Sequence, residues 1–170
     1  MKIVVTSGSP DTDLQMISSL LRAGGLADPR ASGKAPEDTI QAWHHRLMTS
    51  RRSKKEPAIS PFSPGKAWEQ ALGDIFLANL DQNCWGWADA RSTWLLDFLS
   101  DYDSQFCFVL VFDSPQAAIR LTLLSEEEFT PESAIDTWLN YNHELLHFYN
   151  RNAERCILVN ANDCLSHPKA

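Results

Sequence analysis

The 170-residue sequence predicts an α/β protein, a three-layer domain with a mainly parallel sheet of about four to five strands and helices on both faces. Three observations predict it. Short apolar runs alternate along the chain with stretches whose apolar residues recur at helical spacing. Phe106-Cys107-Phe108-Val109-Leu110-Val111-Phe112 is apolar without interruption, as a strand buried on both faces of a parallel sheet requires. The N-terminus reads as strand, turn and helix in immediate succession, and strands joined through helices pack in parallel.

The elements follow in order. Residues 2–6, Lys-Ile-Val-Val-Thr, form a β-branched run that stops at Ser7-Gly8-Ser9-Pro10, with Asp11 or Thr12 as a helix cap. Leu14, Ile17, Leu20 and Leu21 then mark a helix that Gly24-Gly25 ends. Residues 27–66 hold five of the nine prolines and no long apolar pattern, so they read as an irregular basic insert with one short helix around 36–49. Trp68, Ala71, Leu72, Ile75 and Leu80 predict a helix over 66–80. Trp85-Gly86-Trp87 is a short strand, and Trp94, Leu95, Phe98 and Leu99 a helix. After the central strand, Asp113-Ser114-Pro115 is a turn and 116–123 a helix. Thr130-Pro131-Glu132 opens a long helix, with Thr130 as cap and proline at the first helical position, running to about Asn150. Cys156-Ile157-Leu158-Val159 is the last strand.

The length suits one domain spanning 1–170. A net charge of −7 argues against a nucleic-acid binder, since phosphate contacts need a cationic face. No apolar run is long enough to span a membrane, and Met1–Pro10 lacks the hydrophobic stretch of an export signal. A cytoplasmic protein is expected, with no nucleic acid and no membrane among its partners. Cys84, Cys107, Cys156 and Cys164 have neither metal-ribbon nor disulfide-framework spacing, and Cys107 and Cys156 read as buried free thiols. The cations Arg46, Arg51, Arg52, Lys54 and Lys55 cluster beside His44-His45 in what reads as a solvated, partly mobile loop, or as an anion-attracting arm. Glu126-Glu127-Glu128 reads as a solvated acidic loop, and Trp85, Trp87 and Trp94 as core and crevice lining.

His143-Glu144-Leu145-Leu146-His147 fits the zinc-hydrolase pattern H-E-x-x-H. On a helix the two histidines stand one turn apart on one side, and Glu144 could polarise a metal-bound water. A third ligand would have to be Asp163 or His167, and neither sits in a ligand motif. Trp138, Tyr141, Leu145 and Phe148 form the stripe that faces the sheet, which leaves the histidines beside it. The expectation is a surface pair, with no metal site.

In parallel sheets the loops after the strands form the ligand crevice, here 7–13, 88–91 and 113–115. Those loops, in SGSP, WGWADAR and VLVFDSP, together with the ending TWLNYNHELLHFYNRNAERCILVNANDCLSHP, resemble bacterial members of the sulfotransferase family. The resemblance implies a P-loop nucleotide-binding fold and the donor 3′-phosphoadenosine-5′-phosphosulfate. It also implies a donor site at Ser7, Gly8, Ser9, Asp11, Thr12, Arg91 and Arg120. The family's first loop carries Arg or Lys followed by Ser-Gly-Thr, where helix-terminal amides and a cation hold the phosphosulfate; this chain has Asp11, Thr12, Asp13, Leu14 and Gln15 there. The family's Lys-Asp-Pro-Arg is Ala88-Asp89-Ala90-Arg91, and its arginine after the central strand falls on Asp113, with a serine falling near Leu121 beside Arg120. Cations and hydroxyls are therefore replaced at three loops while the apolar frame persists. The expectation is a sulfotransferase-like protein that has lost its donor, binds no cofactor, and serves as a binding protein or as the partner of another protein. Its alternatives are an active sulfotransferase with atypical residues and a zinc hydrolase.

Overall fold

The β-branched run at the N-terminus forms β1 (Lys2–Gly8), an inner strand of a four-stranded sheet. The computed structural model describes residues 1–10, 12–53, 60–124 and 130–166. β2 (Cys84–Ala88), β3 (Phe106–Phe112) and β4 (Cys156–Asn160) complete the sheet in the order β2-β1-β3-β4, every pair parallel. Ile3 stands between Trp85 and Phe106, and Phe108 opposite Cys156.

Alternation along the strands divides the side chains between two faces. One face presents Ile3, Val5, Trp85, Trp87, Phe106, Phe108 and Leu110, all buried. Over it lie α2 (Ile40–Ser53), α3 (Lys66–Leu77), α4 (Leu96–Tyr102) and α6 (Pro131–Asn152), through Trp43, Leu72, Leu99 and Phe148 among others. The other face presents Val109 and Val111 to α1 (Leu14–Ala23) and α7 (Ala161–Ser166), through Leu14, Ile17 and Ala161. α5 (Pro115–Leu124) packs on α6. This is the expected three-layer α/β fold. The caps work as anticipated at α6, where Thr130 Oγ1 accepts from the Ser133 amide at 3.2 Å and Pro131 takes the first helical position.

The insert is where expectation and structure part. Its helix covers Ile40–Ser53, as long as the expected 36–49 but displaced toward the C-terminus, and it carries most of the basic cluster, so residues 40–53 are no loop. Ile40, Trp43, His44 and Leu47 are buried, a helical stripe interleaved with charges that a scan for long apolar patterns passes over. A short 3-10 helix, Pro36–Asp38, precedes it, and another, Ala90–Leu95, forms the first part of the expected Trp94–Leu99 helix. Cys107 and Cys156 are half-buried, because β4 is an edge strand and the second face is thinly covered near it. Trp138 is half-buried where Tyr141, Leu145 and Phe148 are buried. Lys54, Lys55 and Glu126-Glu127-Glu128 lie outside the described residues. No described helix is long and apolar enough to cross a membrane.

Candidate functional site

A crevice of about 370 Å³ opens at the C-terminal edge of the sheet, where parallel strands release their loops. The turn after β1 supplies Thr12 and Asp13, the end of β2 supplies Ala88, the following 3-10 helix supplies its cap Asp89 and Arg91, and the first turn of α2 supplies Gln41.

The turn after β1 is drawn tight against the sheet. A Cβ at Gly8 would lie 2.5 Å from the Val111 carbonyl oxygen, so the close approach of β1 to β3 requires glycine there. Ser7 is fully buried beneath the crevice; its hydroxyl donates to the Asp89 carbonyl at 3.3 Å and lies 2.7 Å from Thr93 Oγ1. Ser9 and Thr12 are buried too, and neither hydroxyl has a hydrogen-bond partner among the described residues. The Thr12 amide donates to the Ser9 carbonyl at 3.0 Å, closing the turn. Asp13 is the cap of α1: its carboxylate accepts from the Met16 amide at 2.9 Å and so takes one of the free amides a helix N-terminus offers to an anion.

Arg91 is held from the other side. Asp89 accepts from the Arg91 amide and Nε at 2.8 Å each, and from Nη2 at 2.5 Å, a two-pronged pair that leaves about a third of the Arg91 side chain exposed. Burial pushes the Asp89 carboxyl up, yet the hydrogen bonds and charge of Arg91 outweigh it and hold the group below the usual carboxylate range. The guanidinium is held more firmly charged in return.

Under this pair runs a buried polar chain. Trp87 Nε1 donates to Ser92 Oγ at 3.1 Å, and Ser92 Oγ lies 3.1 Å from His44 Nε2. His44 Nδ1 lies 2.9 Å from the Ile40 carbonyl, which can only accept, so Nδ1 carries the proton and Nε2 accepts from Ser92. Every donor then has an acceptor. His44 is fully buried, and burial pushes its pKa down, which keeps the imidazole neutral although Asp89 Oδ2 is 3.9 Å away. Sequence reading missed Gln41, His44, Ser92 and Thr93. The Ile40–Trp43–His44–Leu47 spacing was the available signal for His44; Ser92 and Thr93 carry none.

The expected site residues thus divide. Ser7, Gly8, Ser9, Thr12 and Arg91 gather at the crevice, the first three beneath its floor. Asp11 lies outside the described residues. Arg120 is exposed on α5 and is not part of the crevice lining. The third loop stays out as well: the Asp113 carbonyl accepts from Trp138 Nε1 at 2.8 Å and its carboxylate from the Asn162 amide group. Trp94 Nε1 donates to the Tyr141 hydroxyl at 3.2 Å, so this tryptophan anchors α6. His143 and His147 face solvent on α6, with His143 Nδ1 on Glu144 Oε1 at 3.3 Å. Asp163 sits on α7, which covers the opposite face of the sheet; His167 lies outside the described residues, and among those described no group of three or more His, Cys, Asp or Glu is placed to hold a metal ion.

A parallel sheet in the order β2-β1-β3-β4, with helices on both faces and the crevice between the first turn and the end of β2, makes this a three-layer α/β domain. No protein-family model matches the chain, and no curated protein matches it. Among solved structures it is similar to the sulfotransferase domain from the curacin biosynthetic pathway, at 13% identity and a TM-score of 0.56, over 99% of this chain and 69% of that one. The sulfotransferase domain of the Synechococcus PCC 7002 olefin synthase is similar at 14% identity and 0.60, over 99% and 68%. A gluconokinase from Sinorhizobium meliloti 1021 is similar at 15% and 0.51, over 94% and 82%. At such identities the likeness is one of fold.

Proposed function

We propose that the chain keeps a sulfotransferase-like fold, has lost donor binding, and acts as a binding or partner protein. One observation carries the reading: both anion-attracting groups of the crevice, the start of α1 and the Arg91 guanidinium, already hold carboxylates of the chain itself, Asp13 and Asp89. Phosphosulfate transfer needs donors and positive charge aimed at the leaving phosphate, and here they are occupied. A donor phosphate 4 Å from a carboxylate meets repulsion of about 1 to 4 kcal/mol per charge pair, between bulk-water and protein-surface screening. The crevice residues therefore fit a phosphosulfate donor poorly. Titration calorimetry with 3′-phosphoadenosine-5′-phosphate tests the reading: no micromolar binding is expected, and a micromolar Kd overturns it.

The second reading is an active transferase with atypical residues. The unpartnered hydroxyls of Ser9 and Thr12 and the exposed part of Arg91 favour it, since a polar ligand displacing the Asp13 cap would find them. Under that reading the nucleotide binds and Arg91→Ala removes the binding.

A further inference from the structure

A second groove, of about 630 Å³, lies at the other edge of the sheet, between α3 and the turn from α4 into β3. Leu77, two-thirds exposed, lines it beside Phe76, and Leu80 is exposed just beyond. Tyr102 forms a wall: its hydroxyl donates to the Glu69 carbonyl at 3.2 Å and its ring meets Phe76 edge-on at 5.5 Å. Gly73 makes room for it, since a Cβ there would stand 3.2 Å from the Tyr102 oxygen. Glycine inside a helix is less favourable than alanine, so the seat of Tyr102 carries a cost in stability.

Glu69, Asp74 and Asp103 rim this apolar floor. They make no ion pair among the described residues, whereas Asp28, Asp81, Asp89 and Asp97 each hold an arginine. The three carboxylates line the same groove as Tyr102, and burial, with after it the charges of Glu69, Asp103 and Asp74, pushes the Tyr102 phenol up. Lys66 is the single cation of the lining.

We propose that this groove docks a basic amphipathic segment of a partner protein, with a bulky apolar side chain on Leu77 and Phe76 and Lys or Arg side chains against Glu69, Asp74 and Asp103. Charge selects the occupant. A second copy of a chain with net charge −7 is repelled by this rim, as is an anionic membrane surface, while a cationic segment gains both steering and apolar burial. The groove shares no residue with the crevice, so either proposal can fail without the other.

The test uses the whole chain and a short helical peptide of Lys, Leu and Ala, with its Glu-for-Lys counterpart as control. The Lys peptide should bind with micromolar affinity that weakens with salt, shifting backbone amide resonances only over 66–77 and 101–105. Glu69→Gln/Asp74→Asn/Asp103→Asn should weaken it about tenfold or more, and Glu132→Gln/Asp136→Asn should leave it unchanged. Leu77→Asp provides an independent variant at an exposed position should the triple variant unfold by circular dichroism, with a similar loss expected. Failure of the peptide to bind, equal binding to the variants, or shifts spread over the whole surface overturns the proposal. So does a concentration-dependent dimer that the triple variant abolishes, which would assign the groove to a second copy.

Discussion

The aromatic face of the sheet and the crevice loops at its C-terminal edge grow from the same strands but obey different constraints. On the face, Phe106 stands against Phe108 and Trp87, and Phe108 against Phe106 and Phe148, so both central rings are held by at least two others. At the crevice, Arg91 answers to one carboxylate and the start of α1 to another. A packed ring cannot change without leaving a void, whereas a charged loop residue can change if a local partner neutralises it. The likeness to sulfotransferase domains at 13 to 14% identity is one of fold, and at the crevice the chain's charges close on its own carboxylates.

The contrast can be broken at several points. Phe108→Ala, in the centre of the packed face, should cost about 3–5 kcal/mol by urea denaturation, or prevent folding; a cost no larger than that of the crevice variants would erase the distinction. Arg91→Ala strands the Asp89 carboxylate and should cost about 1–3 kcal/mol, while Asp89→Asn/Arg91→Gln, which removes both charges, should cost less in the same assay. If the double variant is the worse of the two, the pair is more than mutual neutralisation.

His44 sharpens the comparison because it is a polar group treated as core. Its folded pKa lies below the ordinary 6.5, so the unfolded chain takes up this proton first as pH falls. The contribution is complete above about pH 6.5 and is lost progressively below it, with a slope of at most about 1.4 kcal/mol per pH unit for one proton. Thermal unfolding of His44→Gln should show a flatter dependence between pH 6.5 and 5 than the parent; parallel curves would mean that His44 does not titrate as its burial requires. The smallest effect is expected at Asp13. Removing the cap in Asp13→Ala should cost about 1 kcal/mol, and in Asp13→Ser the start of α1 should begin to respond to sulfate as a rise in Tm that the parent lacks. Equal sulfate response in both would show that the Asp13 carboxylate does not guard the helix terminus.

Most of the fold was readable from the sequence because its signals are local. The Phe106–Phe112 run, the Gly24-Gly25 stop and the Thr130-Pro131 start each act within a few residues, and each appears where expected. α2 was harder, since its buried stripe of Ile40, Trp43, His44 and Leu47 is diluted by Gln41, His45 and Arg46 and followed by a polar, basic stretch. The site was legible in half. The turn after β1 and Arg91 could be named from spacing and resemblance, but the same resemblance grouped Arg120 and the Asp113 position with them, and the fold sends both elsewhere.

By itself, then, the sequence determined the alternation of strands and helices, the parallel sheet and the candidate loops, because periodicity and capping are written into neighbouring residues. Only the tertiary structure decided which charges meet. That Asp13 caps the amides of α1, that Asp89 grips Arg91, and that His44 lies 48 residues from the Ser92 it bonds depend on strand order and helix placement. Energies of that kind fall off within a few ångströms, and no pattern along the chain records which distant side chains come that close.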